Sequence, residues 1–177
     1  MADSREIAKQ VICEIIAVSG GRLTGKLRLY KAFYFAHLYF WENNKGALTD
    51  HPIVRMPLGP GIDDGDALLE ELRHEGKIAI TQQFIGPYRE LVYEIAEPIR
   101  LDPSVPRFKA IEEAVRWIEG KSASQLSEET HVFSRTWREG DDGQVLNIYL
   151  DILEESEYNR VKQGLLQAED ALSGIFD

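Results

Sequence analysis

Apolar residues recur along this chain at two periods, and each change of period marks a new element. From Ser4 to Val18 the period is helical: Ile7, Val11 and Ile15 form one stripe, with Ala8, Ile12 and Ile16 beside it. Asp3 and Glu6 have the spacing of a capping box, and Ser19-Gly20-Gly21 stops the helix. Between Gly25 and Trp41 (GKLRLYKAFYFAHLYFW) the polar face disappears. Leu27, Tyr30, Tyr34, Leu38 and Trp41 make one stripe, and Leu29, Phe33, Ala36 and Phe40 make another. A helix that is apolar nearly all round is buried nearly all round, so this segment is expected to be the central helix, capped by Thr24 and ended at Asn43–Gly46. Lys31 and His37 lie within its apolar part and need partners or a route to water. The aromatic run Tyr34, Phe35, Tyr39, Phe40, Trp41 exceeds what one helix can bury, so Tyr39 or Trp41 is expected to reach an interface.

Beyond the central helix the pattern breaks. Pro52, Pro57 and Pro60 forbid a continuous helix over Ala47–Gly61. Ile53–Met56 reads as a short edge strand, and Gly59-Pro60-Gly61 as a rigid corner. Asp63 or Asp64 caps a short helix, Gly65–Glu75, with Leu68, Leu69 and Leu72 inward. A period of two then appears over Lys77–Phe84 and Arg89–Ile95, joined at Gly86-Pro87, which predicts a β-hairpin. A helix follows over Val105–Glu119 with Phe108, Ile111, Val115 and Ile118 as its core stripe. Ser122 and Gln125 open a short helix to about Thr130. His131–Trp137 reads as irregular, Glu139–Gly143 as a solvated loop, and Val145–Leu150 as strand or helical turn. The last helix, Glu155–Ile175, is expected to bury Tyr158, Val161, Leu165, Ala168 and Leu172.

These elements predict one mainly helical α+β domain over residues 1–177, with a small antiparallel hairpin. The order helix, helix, helix, hairpin makes its N-terminal part winged-helix-like. Charge changes what such a shape would contact. The chain has 20 basic and 30 acidic residues, a formal net charge of −10. The third helix carries Asp66, Glu70, Glu71 and Glu75 against Arg73, whereas a helix that reads nucleic acid needs a basic face. Nucleic acid is thus an unfavourable partner, and an acidic surface suits a basic protein. The start, MADSREIAKQ, lacks the basic region of an export signal, and no apolar run reaches the ~20 residues of a spanning helix, so a cytoplasmic chain with no membrane partner is expected. The lone Cys13, among Val11, Ile12, Ile15 and Ile16, reads as a buried, inert thiol.

Candidate chemistry is sparse. His37, His51, His74 and His131 have no metal-ligand spacing, and no nucleophile, phosphate-loop or dinucleotide signature is present. The expectation is a protein without catalysis, cofactor or metal. His131 and Trp137 stand out in LSEETHVFSRTW: Trp137 either plugs the core or closes a pocket or anchors a partner.

Three segments carry a resemblance to a known family. KAFYFAHLYF (Lys31–Phe40) resembles the Lys-x-x-x-Tyr-x-Ala core of the SocA-like antitoxin, or Panacea, domain, a phage-associated family. MPLGPGI (Met56–Ile62) is similar to its Gly-Pro-Val segment, with Gly61 in place of valine and Leu58 in place of the usual aromatic. LSEETHVFSRTW (Leu126–Trp137) is similar to its Leu-Ser…His…Trp segment. The resemblance spans about residues 23–150, leaving 151–177 as a C-terminal helix, and marks a divergent member. It implies a mainly helical domain that binds and neutralises a cognate toxin. Lys31, Tyr34, Gly59, Pro60, His131 and Trp137 then occupy the family's characteristic positions, with Tyr34, Gly59 and Pro60 leaning to structure and Lys31 and His131 to a shared polar cluster. A winged-helix transcriptional regulator and a small-molecule sensor with a pocket near His131 and Trp137 are the alternative readings.

Overall fold

A computed structural model describes the backbone of residues 3–176 and the side chains of residues 3–169. Helix α1 (Ser4–Val18) leads into a short strand, β1 (Arg22–Thr24), and then α2 (Lys26–Asn44). Every residue from Leu29 to Leu38 is buried, so α2 is the central helix that its all-round apolar pattern predicts. It packs against α1, α4 (Pro106–Ile118) and α5 (Ala123–Phe133). One apolar core joins Ile12, Ile15 and Ile16 of α1 to Phe33 and Ala36 of α2 and to Ile111, Ala114 and Ile118 of α4. Burial of each large side chain contributes about 1.5–3 kcal/mol.

The hairpin is β4 (Ile78–Ile85) and β5 (Tyr88–Ile95), turning at Gly86-Pro87. It follows α3 (Gly65–His74), whose Leu68, Leu69 and Leu72 face inward. Strand β1 adds to the far edge of β5, giving the sheet order β1-β5-β4. This third strand is a correction to the expected start of α2. Thr24 lies in β1, and Gly25, with its amide on Leu91 O (2.8 Å), takes the cap position without a side-chain bond. A three-residue strand is too short to show a period of two.

A second correction concerns Gly59-Pro60-Gly61. The expected corner is a strand, β3 (Gly59–Ile62), antiparallel to β2 (Ile53–Met56) in a separate two-stranded sheet. Proline is admitted because β3 is an edge strand that needs no N–H on that side. A Cβ on Gly61 would overlap Met56 Sδ, so glycine leaves room for the Met56 side chain as it lies here. The other side of β2 is closed by residues 143–146, through Arg55 N to Gln144 O (2.8 Å) and Leu146 N to Ile53 O (2.8 Å).

The C-terminal third departs furthest from expectation. His131–Trp137 is helical, not irregular: α5 runs to Phe133, and Ser134 both ends it and caps α6 (Arg135–Glu139) by accepting from Trp137 N at 3.2 Å. Ser122 and Gln125 do form the full capping box of α5. Asp3 caps α1 by accepting from Arg5 N, at the second helical position, so the expected box with Glu6 is replaced by a simple cap. Residues Ile148–Ile152 form a 3₁₀ turn. In α7 (Glu155–Phe176) Tyr158 is buried, but Val161, Leu165 and Ala168 of the expected inner stripe are exposed. The helix is tied down near its start, by Tyr158 and Lys162 on Glu139, and residues 161–169 are exposed beyond that anchor. Leu172 lies outside the described side chains. Among the described residues no helix is long and apolar enough to cross a membrane.

Candidate functional site

The three segments singled out in the sequence meet at one place, where β3 runs between α2 and α5. Lys31 is buried in the middle of α2, and its Nζ donates to Pro60 O at 3.1 Å. Among the described residues it has no carboxylate partner within salt-bridge reach, and burial lowers its pKa to about 7. Gly59 lies against that amine: its φ is +111°, and a Cβ there would overlap Lys31 Nζ. The residue must therefore be glycine on two counts, backbone conformation and space.

Against the same strand, α5 presents Ser127, Thr130 and His131, spaced to lie on one helical face, with Thr130 Oγ1 3.4 Å from where a Cβ on Gly59 would be. Ser127 Oγ donates to Leu58 O at 3.3 Å, which leaves His131 Nε2–H to donate to Ser127 Oγ, also at 3.3 Å. Thr130, fully buried, turns its hydroxyl back to the carbonyls of Leu126 and Ser127. Desolvation, together with the nearby charges of Lys31 and Arg55, holds the His131 imidazole below its ordinary pKa. Lys31 and His131 form no hydrogen bond with each other; Lys31 reaches the Pro60 carbonyl directly, and His131 is linked to the Leu58 carbonyl through Ser127.

Trp137 closes the arrangement from α6. Its ring stacks on His131, with centroids 3.8 Å apart and planes 6° apart. The Arg55 guanidinium lies 4.6 Å from the ring centroid, a cation–π distance. Trp137 Nε1 donates to Met56 O at 2.7 Å, and Arg55 Nε donates back to Trp137 O at 2.9 Å. Trp137 is thus half-buried and clamps the β2–β3 hairpin, and a cavity of about 350 Å³ opens on the α2 side of the same hairpin. Lys31, Tyr30, Leu58 and Gly59 line it.

Tyr34 does not join this cluster. One turn along α2, its hydroxyl donates to Asp151 Oδ2 at 2.6 Å. Asp151 is buried and also accepts from Ser134 Oγ (2.7 Å), Thr136 N (2.8 Å) and Thr136 Oγ1 (3.1 Å). This carboxylate pins the 3₁₀ turn, the α5–α6 junction and α2 together. Burial and the neighbouring carboxylate raise the Tyr34 pKa well above the ordinary tyrosine value. Neither Asp151 nor Ser134 stands out in the sequence; the only local signal is an aspartate among Ile148, Leu150 and Ile152.

The remaining histidines have structural or surface placements. His37 is buried, donates from Nδ1 to Phe33 O (2.8 Å), and accepts at Nε2 from Thr49 Oγ1 (2.9 Å). Desolvation lowers its pKa to about 4, so it is neutral at neutral pH. His51 bonds Asp63 O, and His74 pairs with Glu70 on the surface. Cys13 is buried, with its thiol pushed up to about 11 by desolvation. The surface of α3 is acidic, and the cations near it are already engaged: Arg5 with Glu71 and Asp64, Lys9 with Glu6 and Glu75, Lys26 with Asp66.

No family model, no curated protein and no solved structure matches the chain.

Proposed function

We propose that this chain is an antitoxin-like protein-binding module, which neutralises a cognate toxin by forming a complex with it and works without catalysis or a cofactor. One observation carries the reading. Apart from Tyr34, the residues on which the family resemblance rests, although they span more than a hundred positions, converge on the hairpin β2–β3: Lys31 on Pro60 and against Gly59, Ser127 on Leu58 with His131 on Ser127, and Trp137 on Met56. Chance similarity in three short segments gives no reason for them to meet. The acidic, internally paired surface of α3 supports a protein partner over a phosphate backbone.

The test is co-purification of the tagged chain from its native host, washed at low and high salt, with mass spectrometry of whatever elutes. A stoichiometric small protein that arrests growth when expressed alone, and is rescued by this chain, is the expected result. A partnerless elution from growing cells counts against it. The 350 Å³ cavity beside Lys31 favours a second reading, a small-molecule sensor. On that reading a metabolite panel raises the melting temperature, because a ligand that binds only the folded state stabilises it.

A further inference from the structure

A second concavity, of about 460 Å³, lies further along α2, starting one turn beyond Lys31. Three elements wall it with rings at helical spacing: Phe35 and Tyr39 from α2, Trp117 from α4 and Phe133 from α5. Phe35 lies 3.9 Å from Trp117 and 5.5 Å from Phe133, centroid to centroid, so the rings form one continuous wall. Phe133 is 41% exposed, and Tyr39 is half-buried. Rings left partly open to water and rimmed by polar residues are what an interaction site presents.

The charged residues that line the groove share one sign, and Lys121 lies at its edge. Glu42 and Glu129 line the groove, from the same helix faces as Tyr39 and Phe133, and Asp151 lines it from the 3₁₀ turn. Asp151 is 4% exposed, and all its partners are neutral hydroxyls and an amide; among the described residues no cation pairs with it. Glu42 is exposed and likewise forms no ion pair there. The cation that is present shows what the wall accepts: Lys121 Nζ sits 3.9 Å from the Trp117 centroid and bonds Glu129 at 2.7 Å.

Aromatic faces flanked by carboxylates select a cation, and among side chains arginine fits best, since its planar guanidinium stacks on rings while its N–H groups reach carboxylates. We propose that this groove docks an arginine side chain of the partner protein, seated on Tyr39 and Phe133 between Glu42 and Glu129. The inference rests on the protein-binding reading above and gives that partner's contact a chemistry.

The experiment uses the full chain and a defined probe, the peptide acetyl-Gly-Leu-Arg-Leu-Gly-amide, with citrulline replacing arginine as the neutral control. Trp117 gives one of three indole N–H resonances, assigned by Trp117→Phe. The arginine peptide is expected to move that resonance saturably, and the citrulline peptide is not. The double variant Glu42→Gln/Glu129→Gln, at exposed or rim positions, is expected to keep the melting temperature and to weaken the peptide about tenfold. An unmoved Trp117 resonance, equal shifts from both peptides, or an undiminished shift in the double variant overturns the proposal. Carrying the double variant into the co-purification experiment separates this proposal from the one beneath it. Undiminished capture of the partner refutes the groove and leaves the protein-binding reading standing. A wild-type chain that captures nothing, yet saturates with the arginine peptide, does the reverse.

Discussion

Replacing Lys31 by methionine tests the energetics of the hairpin site directly. The amine is buried with one acceptor, Pro60 O, and no carboxylate, and its pKa falls to about 7. In the unfolded chain it returns to the ordinary value of about 10.4. Between those values the unfolded chain holds a proton that the folded chain has released. Raising the pH therefore favours the fold, and the contribution of this group is complete only above about pH 10.4. The gap of roughly three and a half pH units, at about 1.4 kcal/mol each, amounts to about 5 kcal/mol over the full range, of which about 3–4 kcal/mol falls between pH 7 and pH 10. Methionine fills nearly the same volume and does not titrate. It leaves Pro60 O without its donor, at a cost of about 1 kcal/mol. The expected result is a difference between variant and wild type that changes with pH. The variant is the more stable protein near pH 7 and loses that advantage by pH 10. Urea unfolding of both proteins at four pH values across this range measures it, and taking the difference cancels the tyrosines that titrate at the alkaline end. Parallel stability curves would refute the reasoning, because they would mean that Lys31 keeps its proton in the fold.

Tyr34→Phe removes one hydroxyl from the buried Asp151 and is expected to cost about 1.5–3 kcal/mol, as for a hydrogen bond to a charged group, with Tyr34→Ala costing about 3–5 kcal/mol or more from the cavity it leaves. Denaturant midpoints of the two variants rank them; a wild-type midpoint in Tyr34→Ala would remove α2 from the core. Gly59→Ala is expected to destabilise by more than about 1 kcal/mol through its positive φ and its overlap with Lys31, and Lys31→Ala should relieve part of that cost, a coupling of at least ~0.5 kcal/mol in a double-mutant cycle. His37, with a folded pKa of about 4, contributes stability that is complete above its unfolded value near 6.5 and is lost as the pH falls towards 4, about 3 kcal/mol in all. His37→Asn should flatten stability over that acid range, and acid unfolding followed by circular dichroism reads it.

The parts of the fold legible in the sequence are those whose pattern is local and long. Helix α2 reads itself, because seventeen residues without a polar face admit only burial, and the hairpin does so through two runs of period two around Gly86-Pro87. Strand β3 was hidden by its own composition. Two glycines and a proline read as a break, and only the neighbours Lys31 and Met56, both outside the segment, make those residues the ones that fit. The stripe on α7 failed for the opposite reason: its pattern describes an amphipathic helix correctly but not whether the fold supplies a surface to cover it. At the site, Lys31, Gly59, His131 and Trp137 were visible as residues and came together. Asp151 was not, since a lone aspartate shows nothing until its four donors, drawn from α2, the α5–α6 junction and α6, are placed around it.

The arrangement of that site also sets an order of events as the chain leaves the ribosome. Lys31 meets its acceptor after only 29 more residues, whereas the Leu58 carbonyl waits 69 for Ser127, the Met56 carbonyl 81 for Trp137, and the Tyr34 hydroxyl 117 for Asp151. At about 5–20 residues per second the last of these delays is roughly 6–23 s. For that interval the nascent chain presents a central helix whose buried tyrosine has no partner and a hairpin without its clamp. The hairpin site closes in the sequence in which its parts are synthesised, with the lysine amine first and the Trp137 clamp last, and the Tyr34–Asp151 bond follows it.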